Sequence, residues 1–337
     1  TAAMAVSMLA GCSSESAGKA SEAAATTAEA TTAAEETKAE ETTAAEAKDT
    51  GDLKTVSIQI DGSAVPYYAP LYLAQENGYF AEEGLNVEFY YAAAADIVKN
   101  VAAGNVEFGF PNADAVVAAK AQGIPVKVVH TTYQEGLGAI IFGSDSGIST
   151  PADLKGKKVA VTSLGSANYF QLQAAMESAG LTIDDVQVEI VGTGAILTAL
   201  TEGQVDAIVL NNSGYAASEI TCDQFLPSFG NVLVAGDKLV AEDPETVDGF
   251  CRALNKAIEY IIDGHVEEAV DMSIEKYAPT FAEKRDVVVQ ILNDVFVKTL
   301  WQSDYTKENG IGAANPEKWQ ALIDESKEIG NIDETFD

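Results

Sequence analysis

Two distant stretches of this chain align with each other without a gap: "GNVEFGFPNADA" from Gly104 and "GQVDAIVLNNSG" from Gly203. Gly104 matches Gly203, Val106 matches Val205, Glu107 matches Asp206, and Asn112 matches Asn211. Each copy reads as a helix-stopping glycine, a short strand, and an Asn where the strand ends. A strand that follows one helix and feeds another is the repeating unit of a parallel sheet covered by helices. A chain holding that unit in two places is constrained to build two α/β lobes.

The surrounding periodicity agrees. Val56, Ile58 and Ile60 alternate as a strand, and Pro70 to Asn77 reads as a helix with Pro at its start and Gly78 as its stop. Strand patterns follow at Val87 and Phe89, Val106 to Phe110, and Val126 to His130, with helices predicted from Asp96 to Ala103 and Ala113 to Gln122. After "STPADLKGKK" the alternation restarts. Val159 to Thr162, Val186 to Val191 and Val205 to Leu210 read as strands, and Ser166 to Ala179 and Ala195 to Thr201 as helices. Beyond residue 236 only helical patterns remain: Pro244 to Asp263, Val266 to Tyr277, Phe281 to Leu300 and Pro316 to Ile329.

Composition sets limits on function. The 337 residues are 47% hydrophobic, enough for two ordinary cores. Residues 51–337 hold 17 Lys and Arg against 43 Asp and Glu, so a phosphate backbone would be repelled and nucleic acid is excluded as a partner. Residues 13–50 are almost entirely Ala, Thr, Ser and Glu, without an aromatic residue, Ile, Leu or Val. Such a segment cannot bury enough surface to order itself and reads as a disordered tether. Residues 1–12, "TAAMAVSMLAGC", end in Leu9-Ala10-Gly11-Cys12 and resemble the remnant of a lipoprotein signal, with Cys12 as the lipidated residue. Cys222 and Cys251 remain, either as a disulfide or as buried free thiols.

Templates for catalysis are missing. No GxSxG elbow, P-loop or GxGxxG appears, the cysteines lack CxxC spacing, and the two histidines, His130 and His265, form no local metal motif. His130 is expected to be a satisfied core or rim residue, and no cofactor or metal is expected. What recurs at the strand ends is a mix of aromatic and polar residues. Tyr67 and Tyr68 follow the first strand, Asn112 and Asp114 the third, and Tyr133, Gln134 and Glu135 the fourth. In the second lobe "TSLGSANYF" offers Ser163, Ser166, Asn168 and Tyr169, and "NNSGY" offers Asn211, Asn212 and Tyr215. Ligands of open parallel sheets bind beyond these ends, and ring-shaped ligands need aromatic faces with a few amides or hydroxyls. Each residue has a plain alternative: Asn as the cap of the next helix, tyrosine as core filler. The chain has two arginines, Arg252 and Arg285, both in the helical tail, so the strand ends lack the guanidinium fork that suits small anions.

The segments "PLYLAQENGYFAEEGLNVE", "VAAGNVEFGF", "DSGISTPADLKGKKVAV", "ALTEGQVDAIV" and "PEKWQALIDESKEIGNID" resemble the substrate-binding proteins of ABC importers for thiamine pyrimidine precursors, sulfonates, taurine and nitrate. The resemblance covers nearly all of residues 53 to 333. It implies a type II periplasmic-binding-protein fold: two α/β lobes, each a mostly parallel sheet flanked by helices, with a helical C-terminal tail. Lobe I is expected at residues 51–142 and 236–337, lobe II at 143–235. It also implies a monomer that captures a small heterocycle, such as a thiamine pyrimidine precursor or a flavin, and delivers it to an ABC permease and its ATPase. Sulfonate, taurine or nitrate is the alternative cargo. Lipid on Cys12 would hold the protein at the membrane, outside the cytoplasm. The same superfamily includes pyridoxal-phosphate-dependent synthases of the thiamine pyrimidine, which resemble this chain around the first helix with a His where Tyr68 stands and a Lys near the helix end. No Lys or His lies between Lys54 and Lys99 here, so capture and not catalysis is the expected role.

Overall fold

The computed structural model describes residues 53–164, 166–192, 195–211 and 218–336, within the compact unit Ala47–Asp337; of Asn211 only the backbone is described. The Cys12 motif and the tether lie outside the described residues.

Among the described residues ten strands follow in chain order: β1 Lys54–Asp61, β2 Leu85–Ala92, β3 Phe108–Phe110, β4 Val126–His130, β5 Gly138–Phe142, β6 Lys158–Val161, β7 Gln187–Ile190, β8 Ala207–Asn211, β9 Ser218–Thr221 and β10 Leu233–Gly236. They form two five-stranded sheets, ordered β2-β1-β3-β10-β4 and β7-β6-β8-β5-β9. Neither sheet is wholly parallel. β10 runs antiparallel to both β3 and β4, and β5 runs antiparallel to β8 and β9.

These two reversed strands also move the expected boundaries. Gly138–Phe142 belongs to the second sheet and not the first, and Leu233–Gly236 to the first and not the second. Both are short, and every residue in them is buried. An all-apolar strand carries no alternation that marks one face or one sheet as its own. The chain therefore passes from the first sheet to the second through residues 131–137, ahead of β5, and returns through 222–232, ahead of β10.

The first sheet is packed on both faces. Ile58, Ile60, Phe108 and Phe110 meet the helices Ala69–Glu76, Pro244–Ile262 and Val266–Lys276 on one side. Val126 and Val234 meet Ala94–Ala103, Ala113–Ala121 and Pro316–Glu328 on the other. Spacing explains the long helix: Val247, Phe250, Leu254, Ile258 and Ile261 recur at three or four residues and are buried, while Asp243 caps its start by accepting from the Thr246 N–H. The second sheet lies between Ala167–Ser178, which buries Leu172 and Met176, and Ile196–Thr201, which buries Ile196 and Ala199.

The sequence repeat is a structural repeat. Gly104 and Gly203 both end helices in the left-handed region, at φ 72° and 69°, where a side chain would be strained. The acid three residues after each aligned helix stop does one job in each sheet. Glu107 accepts hydrogen bonds from Ser57 N and Oγ, both at 2.7 Å, and Asp206 accepts from Lys158 N at 2.8 Å, so each carboxylate holds the neighbouring strand.

The single helix expected over Phe281–Leu300 is divided. A 3₁₀ segment at Pro279–Lys284 leads into Arg285–Ile291 and then a wide π-helical stretch, Leu292–Leu300. No helix among the described residues is long and apolar enough to cross a membrane.

Candidate ligand-binding site

The C-terminal ends of β1 and β3 bring an acid, an amide and a tyrosine together. Asp61 ends β1, where the Asn112 side chain and the backbone N–H groups of Ala94 and Gly62 favour its charged form. Burial outweighs them and raises its pKa. The Tyr68 hydroxyl donates to the Asp61 carbonyl at 2.7 Å, and its ring stands edge-on to Phe110. Desolvation pushes the Tyr68 phenol well above its usual range. Asn112 also acts as the cap of the next helix, accepting from Ala115 N at 2.9 Å. Its capping and its place at the strand end are thus both real.

Tyr67 and Tyr133 belong to one aromatic cluster. Tyr67 is half-buried and stacks on Phe296, with ring centroids 5.4 Å apart and planes 7° apart. Tyr133 is only 1% exposed, sits edge-on to Phe110 and Phe296, and donates its hydroxyl to the Tyr67 carbonyl at 2.9 Å. Tyr133 is a core residue that braces the Tyr67 backbone. The π-helical stretch sets Phe296 against Tyr67.

From Asn112 the polar line continues into the two crossings between sheets. Asp114, 6% exposed, accepts from the Ser228 hydroxyl at 3.4 Å, and burial pushes its pKa up to about 6. Asp223 Oδ1 accepts from Gly136 N at 3.0 Å and Ser228 N at 3.1 Å, which ties the outgoing crossing to the returning one. Glu135 pairs with Lys318, whose ammonium also donates to the Gln134 carbonyl at 2.9 Å and lies 3.5 Å from Asp223. Burial, followed by the adjacent Asp223, pushes Glu135 up to about 7. Glu135 therefore belongs to a strut between the crossings.

In the second sheet, Ser166 caps the Ala167–Ser178 helix. Its hydroxyl donates to the Ser163 carbonyl at 2.8 Å and accepts from Tyr169 N at 3.3 Å, so one N–H of the helix start is already engaged. Tyr169 is half-buried, edge-on to Phe170. Asn168 and Gln171, one turn apart, are buried, and Asn168 Oδ1 and Gln171 Oε1 have no hydrogen-bond partner among the described residues. The Gln171 amide packs on Gly138, where a Cβ would meet Oε1 at 1.9 Å. Asn211 ends β8, its side chain lying outside the described set together with Asn212 and Tyr215.

Several participants were not foreseen from sequence: Asp61, Asp223, Ser228, Gln171 and Lys318. Asp61 had a signal, an acid closing an alternating strand. Lys318 had none, because it reaches the crossings from a helix almost two hundred residues away in the chain. Cys222 is buried and Cys251 half-buried, and both are free thiols, so no disulfide joins them. His130 is satisfied as expected, by Thr132 Oγ1 at 2.8 Å and Asn255 Oδ1 at 2.7 Å.

Two sheets joined by two crossings, with polar groups gathered at the strand ends, make up the architecture of the periplasmic binding proteins. The solved aliphatic sulphonate binding protein SsuA of Escherichia coli shares it at a TM-score of 0.64 and 16% identity, over 84% of this chain and 90% of that one. The chain belongs to the NMT1/THI5-like family, whose model matches residues 65–269. Among curated relatives, riboflavin-binding protein RibY of Chloroflexus aurantiacus is 26% identical over 75% of this chain and 74% of its own. The 4-amino-5-hydroxymethyl-2-methylpyrimidine phosphate synthase of Aspergillus parasiticus is 32% identical over 62% and 68%. The formylaminopyrimidine-binding protein of Halalkalibacterium halodurans is 26% identical over 82% and 86%. The family thus holds binding proteins and proteins named as synthases.

Proposed function

We propose that this chain is the solute-binding component of an ABC importer, working outside the cytoplasm and capturing a flat heterocycle that carries N–H donors. The observation that carries this reading is the run of acceptors along the strand ends: the carboxylates of Asp61 and Asp114, with the unpartnered oxygens of Asn168 and Gln171 in the second half. A sulfonate or nitrate needs donors instead, and the chain's two arginines serve surface ion pairs, Arg252 with Glu83 and Glu245, Arg285 with Glu267, Asp271 and Asp286. Relatives named for riboflavin and formylaminopyrimidine fit the same preference. Binding would bring the strand ends of the two sheets together around the ring, with Tyr68 as the stacking candidate. The synthase reading lacks its basic residues, since no Lys or His lies between Lys54 and Lys99.

Calorimetric titration tests this directly. An aminopyrimidine or riboflavin is expected to bind with saturation and to raise the melting temperature, and taurine and nitrate are expected to do neither. Binding of taurine in preference to every heterocycle would overturn the reading.

A further inference from the structure

The inner face of the Ala167–Ser178 helix changes character along its length. Asn168, Gln171, Leu172, Ala175 and Met176 recur at three- and four-residue steps and are all buried. The last three join Ile140 and Phe142 of β5 in one apolar cluster, an ordinary contact of helix on sheet. The first two are amides. Burying an amide costs about 1–3 kcal/mol unless a hydrogen bond compensates, and neither Asn168 Oδ1 nor Gln171 Oε1 has a partner among the described residues.

Register shows where the change falls. Gly138 lies on the same side of β5 as Ile140 and Phe142, and the Gln171 amide packs on it. In the β5–β8 ladder Gly138 stands opposite Asn211, the last residue of β8. Gln171 therefore sits over the tips of the second sheet. The helix runs back from the end of β6, and Asn168 is one turn nearer its start, so Asn168 lies farther out than Gln171. The buried stripe is apolar over the sheet and turns to acceptors at the strand ends.

We propose that Asn168 and Gln171 are specificity-determining residues of the second sheet, an amide pair whose two oxygens accept from a two-donor edge of the solute, such as a primary amino group on the ring. Residues one helical turn apart have Cβ atoms about 5–6 Å from each other, a spacing from which two amides converge on one planar NH2 group. Gly138 gives the Gln171 amide its seat, since a Cβ there would stand 1.9 Å from Oε1. The free protein bears the cost of the two unmet acceptors, and binding offsets it. A ring with an ether oxygen in place of the amino group leaves both acceptors unmet and is rejected. The assignment deepens the reading of the strand-end site and rests on it.

The full chain titrated calorimetrically is expected to prefer 4-amino-2,5-dimethylpyrimidine to its 4-methoxy counterpart by roughly a hundredfold, two hydrogen bonds to buried acceptors. Gln171→Met and Asn168→Leu, each close in size to the parent side chain, are each expected to cut that preference roughly tenfold. Both are expected to raise the melting temperature of the ligand-free protein, because each removes an uncompensated buried oxygen. A residue needed only for packing would move stability the other way and leave the preference intact. An undiminished preference in both variants, or a parent that binds riboflavin but not the amino compound, would overturn this assignment while the strand-end reading stands. A parent that binds no heterocycle would overturn both.

Discussion

The Asp223 carboxylate accepts the Gly136 N–H at 3.0 Å, a bond that joins the outgoing crossing to the returning one. Lys318 completes the junction from a third element, reaching the Gln134 carbonyl, Glu135 and Asp223 while remaining 19% exposed at its side chain. Replacing Lys318 by Met leaves Glu135 and Asp223 side by side without a cation. A stability loss of about 1–3 kcal/mol is expected, since an unpaired partly buried charge costs more than the ion pair contributes. Chemical denaturation of the variant would measure it, and Glu135→Gln added to Lys318→Met is expected to restore much of the loss.

Asp114 gives a pH signature. Burial raises its pKa from 3.8 to about 6, so the folded state holds the proton more tightly than the unfolded chain. A raised folded pKa contributes stability below the unfolded value and loses it as pH rises through the folded one, so the loss falls between about pH 4 and pH 6. Asp114→Asn is expected to flatten this part of the stability–pH curve and to gain roughly 2–3 kcal/mol at neutral pH. Melting temperatures at half-unit pH steps would show it. If Asp114 holds a donor of the ligand, the same variant binds more weakly.

At Gly312 the backbone has φ of +78°, and an added Cβ would stand 2.0 Å from His130 Nε2. That imidazole is held between Thr132 and Asn255 and cannot swing aside without losing both bonds. Gly312→Ala is therefore expected to cost more than about 2 kcal/mol, from left-handed strain and overpacking together. A thermal melt decides it, and a shift within a degree of the parent would show that the loop relaxes freely.

Much of this architecture was legible, and the reasons are local. Ile58, Ile60, Val247, Phe250 and Leu254 announce their elements because each element has one buried side and therefore a period. The repeat around Gly104 and Gly203 was read correctly as two equivalent positions, and Glu107 and Asp206 proved to be equivalent clamps. β5 and β10 were missed because, buried on all sides, they have no period to read. At the candidate site, sequence could place Asn112 and Asp114 at a strand end but could not assign the partners of Glu135, since these arrive through tertiary contact with Lys318.

The matched clamps permit a direct comparison. Glu107→Ala removes two acceptor bonds to Ser57, and Asp206→Ala removes one to Lys158. At about 1 kcal/mol per bond, the first is expected to cost roughly twice the second. Urea titration of both variants checks the ratio.

The Pro316–Glu328 helix has a consequence for biosynthesis. Because Lys318 and Trp319 reach back to the crossings, a nascent chain halted near residue 315 could fold both sheets yet leave the angle between them unset. The junction between the crossings thus stays unbraced until this helix, which follows both sheets in the chain, has been made.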